Sequence, residues 1–369
     1  MELKSSFLED MGLKFRDFFE DKTIFLTGHT GFIGSWLAIM LNEFGANVVG
    51  YALPPYTQKD NFVVSKLDQK ITSIIGDIRD YDNLSKMVEK YQPEIIYHLA
   101  AQPIVRIAYS LPKETYDTNV GGTVNIFESF KKCQSAKILI NFTTDKCYEN
   151  LEKAEGYNEE DRLGGYDPYS SSKACSELVT SAYRNSFFSE TTKGNLKNVS
   201  SVRCGNIIGG GDWQEDRLIP DLMRAIKLNK EFNLRNPDSV RPWQFVLEPL
   251  RGFLILTMKM WNNDEKYLGA WNFGPKKDEI FTVKEIIEKI LNYLDKSNYP
   301  IHYNIIKNGL HETKLLILVI NKAITHLGWK PELNIDECIK FSCDWYMEEN
   351  VDYNFIVNQI NDYFNKITN

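Results

Sequence analysis

Three glycines spaced three residues apart, Gly28, Gly31 and Gly34 in the run GHTGFIG, constrain this chain more than any other feature. Before them, Thr23–Thr27 (TIFLT) is a short apolar run, which predicts a buried strand. After them, residues 32–44 carry Phe32, Trp36, Leu37, Met40 and Leu41 at three- and four-residue spacing, which predicts a helix. A glycine-rich turn between strand and helix is what a dinucleotide-binding loop requires. Gly28 permits the tight turn, Gly31 lets backbone approach a pyrophosphate, and Gly34 lets the helix pack on the sheet. The helix N-terminus then offers free N–H groups to phosphates. Gly28, Thr30, Gly31, Phe32, Ile33 and Gly34 are the candidate cofactor contacts. The spacing is GxxGxxG and not GxGxxG, so the loop by itself also fits a turn without a ligand.

Downstream, strand-like and helix-like segments alternate. Asn47–Ala52, residues 71–75, 95–99 and 136–143 read as strands. Tyr81–Tyr91, residues 114–132 and residues 168–188 read as helices. This alternation predicts an α/β fold: a Rossmann-type, doubly wound parallel sheet with right-handed crossovers. A smaller, mostly C-terminal α/β part, interleaved with the first in sequence, is expected to follow. The expected division is 1–195 for the cofactor domain, with a return segment near 235–275, and 196–369 for the second part. The second half holds two Gly/Pro-bearing loops, residues 205–220 and 235–249. It also holds a helix near 282–294, a strand near 301–306 and a helical region from Ile335 onward.

Ligands of open α/β sheets sit at the carboxyl ends of the strands. Three such places carry candidates. Gly76-Asp77-Ile78 offers a carboxylate to an adenine amino group, or else a helix N-cap. Leu99-Ala100-Ala101-Gln102 has small residues that let backbone lie against a cofactor. Thr143-Thr144-Asp145-Lys146 ends the next strand. The acid that bonds a ribose 2′-hydroxyl at the end of the second strand is missing, since the chain reads GYALPP there. No arginine replaces it, so this stretch does not decide between NAD and NADP.

The formal charge is 43 − 50 = −7, which gives no global attraction for nucleic acid or an anionic membrane. Any anionic ligand must be held by local cations. The longest aliphatic run, residues 315–320, is far short of a bilayer span. The N-terminal residues mix acids among apolar side chains, unlike a signal peptide. Six cysteines without a CxxC pair read as free thiols of a reducing cytoplasm. Five scattered histidines (29, 98, 302, 311, 326) predict no metal site.

In Asp167-Pro168-Tyr169-Ser170-Ser171-Ser172-Lys173, Asp167 reads as an N-cap and Pro168 as the first helical residue. Tyr169 and Lys173 then share one face. A lysine ammonium near a phenol lowers its pKa, so that it takes a proton near neutral pH. A lone YxxxK also describes a solvated helix face. Behind GxxGxxG and shortly after TTDK it is more specific.

With GHTGFIGSW, HLAAQP, TNVGGT, TTDKCYEN, LGGYDPYSSSKACSELV, GNIIGGGDWQEDRLIPD and NPDSVRPWQFVLEPL, the chain resembles the extended short-chain dehydrogenase/reductases that modify nucleotide sugars. The likeness runs from Thr23 to about Trp345. It implies bound NAD, a C-terminal sugar-nucleotide domain and a homodimer. It implies 4,6-dehydration, with CDP-glucose the favoured substrate. Another nucleotide sugar, or 4-epimerisation, is the alternative. Asn119 joins the implied cofactor contacts, as do Thr143, Tyr169 and Lys173. In the implied chemistry Tyr169 takes the 4-hydroxyl proton, Lys173 lowers the phenol pKa and Thr144 bonds the same hydroxyl. Asp145 protonates the departing 6-hydroxyl. Lys146 acts as the C5 base or steers Asp145. An ammonium beside Asp145 favours its charged form, so burial or a rearrangement is expected to counter it.

A diphosphate needs cations, and arginine grips phosphate with two parallel bonds. Arg217, Arg235 and Arg241 are the candidates, Arg241 foremost, with surface ion pairs as the other reading. Asn206 and Leu218 complete the expected substrate contacts. Trp213 and Trp243 pack beside the sugar or base, or in the core. Helices at 114–132 and 168–188 are the expected dimer faces, with Val124, Phe127 and Phe130 either there or in the core. One departure stands out: the chain has the apolar run LLILVI at 315–320 where such enzymes carry a polar strand.

Overall fold

The computed structural model describes residues 14–188, 197–262, 264–295, 303–306 and 313–368. Seven parallel strands form the central sheet: β1 (Thr23–Thr27), β2 (Asn47–Ala52), β3 (Thr72–Ile75), β4 (Ile95–His98), β5 (Ile138–Phe142), β6 (Asn198–Cys204) and β7 (Gly269–Phe273). Their order is β7-β6-β5-β4-β1-β2-β3, and every pair is parallel. The reversal between β1 and β4 opens the crevice in which a doubly wound sheet holds its ligand. β5 and β6 are buried along their whole length, as a sheet covered on both faces demands. The sheet takes in β6, which lies beyond residue 195, and β7, which falls inside the return segment expected near 235–275.

One layer of the core includes Trp36, Leu37, Met40 and Leu41 of helix Phe32–Glu43, at the positions the spacing marks. The opposite layer joins Phe25, Ile96 and Leu139 to Phe127 and Phe130. Both phenylalanines are therefore interior side chains and take no part in a surface.

The helix read at 114–132 is interrupted. Pro112–Tyr116 and Gly122–Lys132 flank a π-helical turn at Asp117–Gly121. The two loops of the second half hold short strands, since Asn206–Ile208 pairs in parallel with Trp243–Phe245. The run at 315–320 forms no continuous strand. Its backbone is nonetheless extended and latched, with Tyr157 N donating to Ile317 O (2.9 Å) and Val319 N to Tyr157 O (2.8 Å). Leu316, Leu318 and Ile320 point inward, which explains an apolar sequence there. The strand near 301–306 appears as Tyr303–Ile306, while Ile301, His302 and His311 lie outside the described residues.

All six cysteines are unpaired, and only Cys175 is not buried. Among the described residues no helix is long and apolar enough to cross a membrane, and no metal-binding cluster is present.

Candidate active site

The glycine loop has the sterics that its sequence demands. Gly28 has φ +81°, and a Cβ there would come within 2.8 Å of Ala100 N. A Cβ at Gly34 would lie 2.1 Å from Gly28 O, so the helix touches the turn. Gly31 caps helix Phe32–Glu43 without a side-chain bond, and the first turn carries no acid. Its free N–H groups and positive dipole end are available to an anion. This cradle, which a side chain would fill, fits a dinucleotide pyrophosphate. Thr30 braces it by donating to Leu53 O (2.8 Å). His29 is packed under Gly50 with Nε2 2.7 Å from Ser73 Oγ, and burial lowers its pKa to about 4.

The next two places make contacts that their sequence does not announce. Asp77 is not the helix cap: Asp80 is, accepting from Asn83 N (3.1 Å). The Asp77 carboxylate instead grips Arg79, with Nη2 at 2.6 Å and Nε at 3.0 Å, and this pair lowers its pKa. Ile78 is buried, and its carbonyl accepts from Asn125 (2.9 Å). Asn119 spends its amide inside the protein. It accepts from Gln102 N (2.8 Å) and donates to Gln102 O (3.1 Å) and Ser172 Oγ (2.9 Å). It therefore shapes the Leu99–Ala100–Ala101–Gln102 shelf from beneath. Thr27 Oγ1 accepts from Leu99 N and Ala100 N, both at 3.1 Å, and fixes the other end.

A cleft of about 770 Å³ opens beside this shelf. Phe32, Ile33, Leu99, Ala101 and Thr143 line it, as do Thr144, Asp145, Lys146, Tyr169 and Lys173. So do Asn206, Arg217, Leu218, Arg235 and Arg241. Gly28, Thr30, Gly31, Gly34, Asp77, Ile78, Ala100, Gln102 and Asn119 do not.

At its floor, β5 ends and Thr144 starts a 3-10 turn, accepting from Lys146 N (3.3 Å). Thr144 Oγ1 donates to Asp145 Oδ1 (3.0 Å) and lies near enough to the Tyr169 hydroxyl to lower its pKa. Asp145 is buried, and its Oδ2 has no partner. Burial raises the Asp145 pKa and outweighs the lowering by Lys146, the Thr144 bond and Arg241. The expected counterweight to the neighbouring ammonium is therefore desolvation.

Helix Pro168–Phe187 begins as its sequence announces, with Asp167 accepting from Ser170 N (2.9 Å). The Tyr169–Lys173 coupling differs from expectation. Lys173 Nζ donates to Phe142 O at the end of β5 (2.9 Å), and burial lowers its pKa to about 8. Burial raises the Tyr169 phenol to about 12, with Thr144 and the Arg217 guanidinium acting in the other direction. A carbonyl captures the ammonium, and desolvation dominates the phenol.

One part of the site escapes sequence reasoning. Glu177, four residues past Lys173, is buried with Arg203 (2.8 Å) and accepts from Thr143 Oγ1 (2.5 Å) and Ser201 Oγ (2.8 Å). It ties the residue before Thr144 to β6. The i, i+4 spacing from Lys173 was its available signal.

The expected cations reach the cleft with resident partners. Arg217 pairs with Asp212 (2.8 Å), and Arg235 with Asp216 (2.8 Å). Arg241 is buried and donates to Val240 O (2.8 Å) and Thr313 O (2.6 Å). Leu218 opens helix Leu218–Leu228, whose first turn faces the cleft. Trp213 and Trp243 are buried, and Trp243 Nε1 donates to Phe281 O (3.1 Å).

A family model described as GDP-mannose 4,6 dehydratase matches residues 25–341. The CDP-glucose 4,6-dehydratase of Salmonella typhimurium is 43% identical over 340 residues, covering 90% of this chain and 92% of that one. The dTDP-glucose 4,6-dehydratase of Streptomyces venezuelae, solved with NAD, superposes with a TM-score of 0.76 at 21% identity, covering 89% of this chain and 97% of that one. The UDP-glucose-4-epimerase of Stenotrophomonas maltophila superposes with a TM-score of 0.75 at 16% identity, covering 88% and 98%. The structural likenesses show the fold, and the sequence matches over most of the chain show the lineage. The chain belongs to the GDP-mannose 4,6-dehydratase family of extended short-chain dehydrogenase/reductases.

Proposed function

We propose that the protein catalyses NAD-dependent 4,6-dehydration of CDP-glucose, giving CDP-4-keto-6-deoxy-glucose. The observation that carries this reading is the 43% identity to the Salmonella dehydratase along nine-tenths of the chain. The buried, unpartnered Asp145 oxygen beside Thr144 and Tyr169 supports elimination over epimerisation, because only elimination needs a proton for a departing hydroxyl.

The loop from Gly28 to Gly34 would hold the cofactor pyrophosphate, and Leu99–Gln102 with Thr143 would flank the rest. NAD held there would supply the acceptor for the C4 hydride and the source of the hydride that C6 gains. Tyr169 takes the proton of the 4-hydroxyl, which Thr144 holds in place. The Arg217 guanidinium stabilises the developing phenolate against its desolvation. Lys173 orients the reacting end from beneath. Once C4 is a ketone, the C5 proton is acidic, and Lys146 removes it or steers Asp145. Asp145, whose pKa burial raises, is placed to protonate the departing 6-hydroxyl. Arg217, Arg235 and Arg241, with Asn206 and Leu218, hold the nucleotide diphosphate.

The cofactor part extends past 195 to take in β6 and includes the return segment, and the rest is mainly the nucleotide-sugar part. Pairing of two chains through the helices at 114–132 and 168–188 is supported by exposed Leu178 and Phe187. Stable monomers in light scattering at micromolar concentration would refute it. Six unpaired cysteines favour the cytoplasm.

The test is incubation with CDP-glucose and NAD, read by mass spectrometry and by the alkali-dependent absorbance of a 4-keto sugar. Loss of one water with the nucleotide retained establishes the reaction. Unchanged mass with an inverted C4 centre means 4-epimerisation. No change, with NAD bound, moves the substrate to another nucleotide sugar.

A further inference from the structure

Asp216 carries two arginines on one carboxylate oxygen. Arg235 Nη1 lies 2.8 Å and Arg106 Nη1 3.4 Å from Asp216 Oδ1. The two cations come from opposite sides of the cleft. Arg106 belongs to helix Val105–Ser110, just beyond β4, and Arg235 ends the strand Phe232–Arg235 of the C-terminal part. All three residues line the same cleft as Thr144, Asp145 and Tyr169.

Three observations mark Asp216 as a stand-in and not a structural pillar. Its side chain is 34% exposed and that of Arg106 is 47% exposed, so the bridge is solvated and weak. Asp216 has φ +63°, a left-handed backbone that costs an aspartate free energy. The local charge is also unbalanced. Arg235 has Asp221 as a second neighbour at 3.9 Å, but Asp221 is shared with Arg224. Two carboxylates thus face three guanidiniums, leaving an excess of positive charge. A diphosphate brings more negative charge than one carboxylate, and oxygen pairs that match the guanidinium fork.

Resting on the nucleotide-sugar reading above, we infer that Arg106 and Arg235 form a diphosphate clamp across the cleft, and that the Asp216 carboxylate occupies its seat until the diphosphate displaces it. Arg106 thereby becomes a substrate contact contributed by the cofactor side of the molecule. The exchange leaves each arginine paired throughout.

Inorganic pyrophosphate is the probe, because its binding does not depend on which sugar or base the enzyme accepts. Calorimetric titration compares wild type, D216N, R106Q and the double variant. Asparagine adopts the left-handed backbone readily, so D216N keeps the loop. Thermal melts check that each variant is folded, and D216S repeats the test with a shorter side chain. D216N binds pyrophosphate about tenfold tighter than wild type, and R106Q about tenfold weaker. The double variant loses the gain. Unchanged or weaker binding by D216N, or a gain that survives R106Q, overturns the clamp, as does failure of pyrophosphate to bind wild type and D216N. Failure of CDP-glucose turnover with the D216N gain intact instead overturns the substrate assignment and leaves the clamp standing.

Discussion

Replacing Asp145 by Asn separates the two halves of the proposed reaction. The amide has the shape of the carboxyl, so Thr144 Oγ1 keeps its acceptor at 3.0 Å. What disappears is the proton on offer to the departing hydroxyl. General-acid assistance contributes about 10²- to 10⁴-fold, or roughly 3–5 kcal/mol of barrier. Oxidation at C4 uses Tyr169 and Thr144, which are untouched, so its rate should fall less than about tenfold on the same scale. Rapid mixing of the variant with CDP-glucose and NAD should therefore give a build-up of reduced cofactor while product is nearly lost. Stability supplies a second readout. Because burial raises the Asp145 pKa, the wild type carries a penalty that is absent in acid and grows as pH rises through the carboxylate range. Asp145→Asn removes it, so the variant should gain stability over wild type as pH rises. Equal loss of reduced-cofactor formation and of product would refute the acid role.

Three further outcomes follow from the same contacts. Gly34→Ala forces a Cβ to 2.1 Å from Gly28 O, and should cost about 1–3 kcal/mol in denaturant titration and abolish NAD binding in calorimetry. Arg203→Met strands the buried Glu177 charge, costing about 3–5 kcal/mol, and Glu177→Gln in the same chain should restore most of it; an unimproved double variant would mean that the pair is not the cause. Lys173 has its pKa lowered from 10.5 to about 8, so its charged form opposes folding below pH 8 and that opposition fades as pH rises to 10.5. Wild type should therefore gain on Lys173→Met by on the order of 3 kcal/mol across that interval, and a flat difference would show that the ammonium is not desolvated.

Features set by short stretches of chain were legible beforehand. Gly34 obeys sterics within seven residues of sequence, and Asp167-Pro168 carries the residue types of a helix start. The 144–146 turn and Tyr169 could be paired because strand ends and helix starts converge at one edge of a parallel sheet. What was not legible depends on choices between competing partners. Asp77 met Arg79, a local partner, in place of the helix N-terminus, while Lys173 met the carbonyl of Phe142 and Arg106 met Asp216 across 110 residues. Glu177 reads as a solvated helix charge until β6 brings Arg203 against it. The apolar run at 315–320 looked like an anomaly because the extended segment beside Tyr157, which buries alternate residues, is specified by tertiary contacts alone.

The bare start of helix Phe32–Glu43 has a consequence for abundance in the cell. No side chain caps Gly31 and no acid sits in the first turn, so the stabilising anion must come from outside the chain. A ligand that binds only the folded state adds about 2.7 kcal/mol at a hundred times its dissociation constant, and almost nothing well below it. The fraction of molecules unfolded at any moment, and hence their exposure to proteases, is then coupled to the supply of dinucleotide. When that supply falls, the population of enzyme shrinks along with the reaction it was made to run.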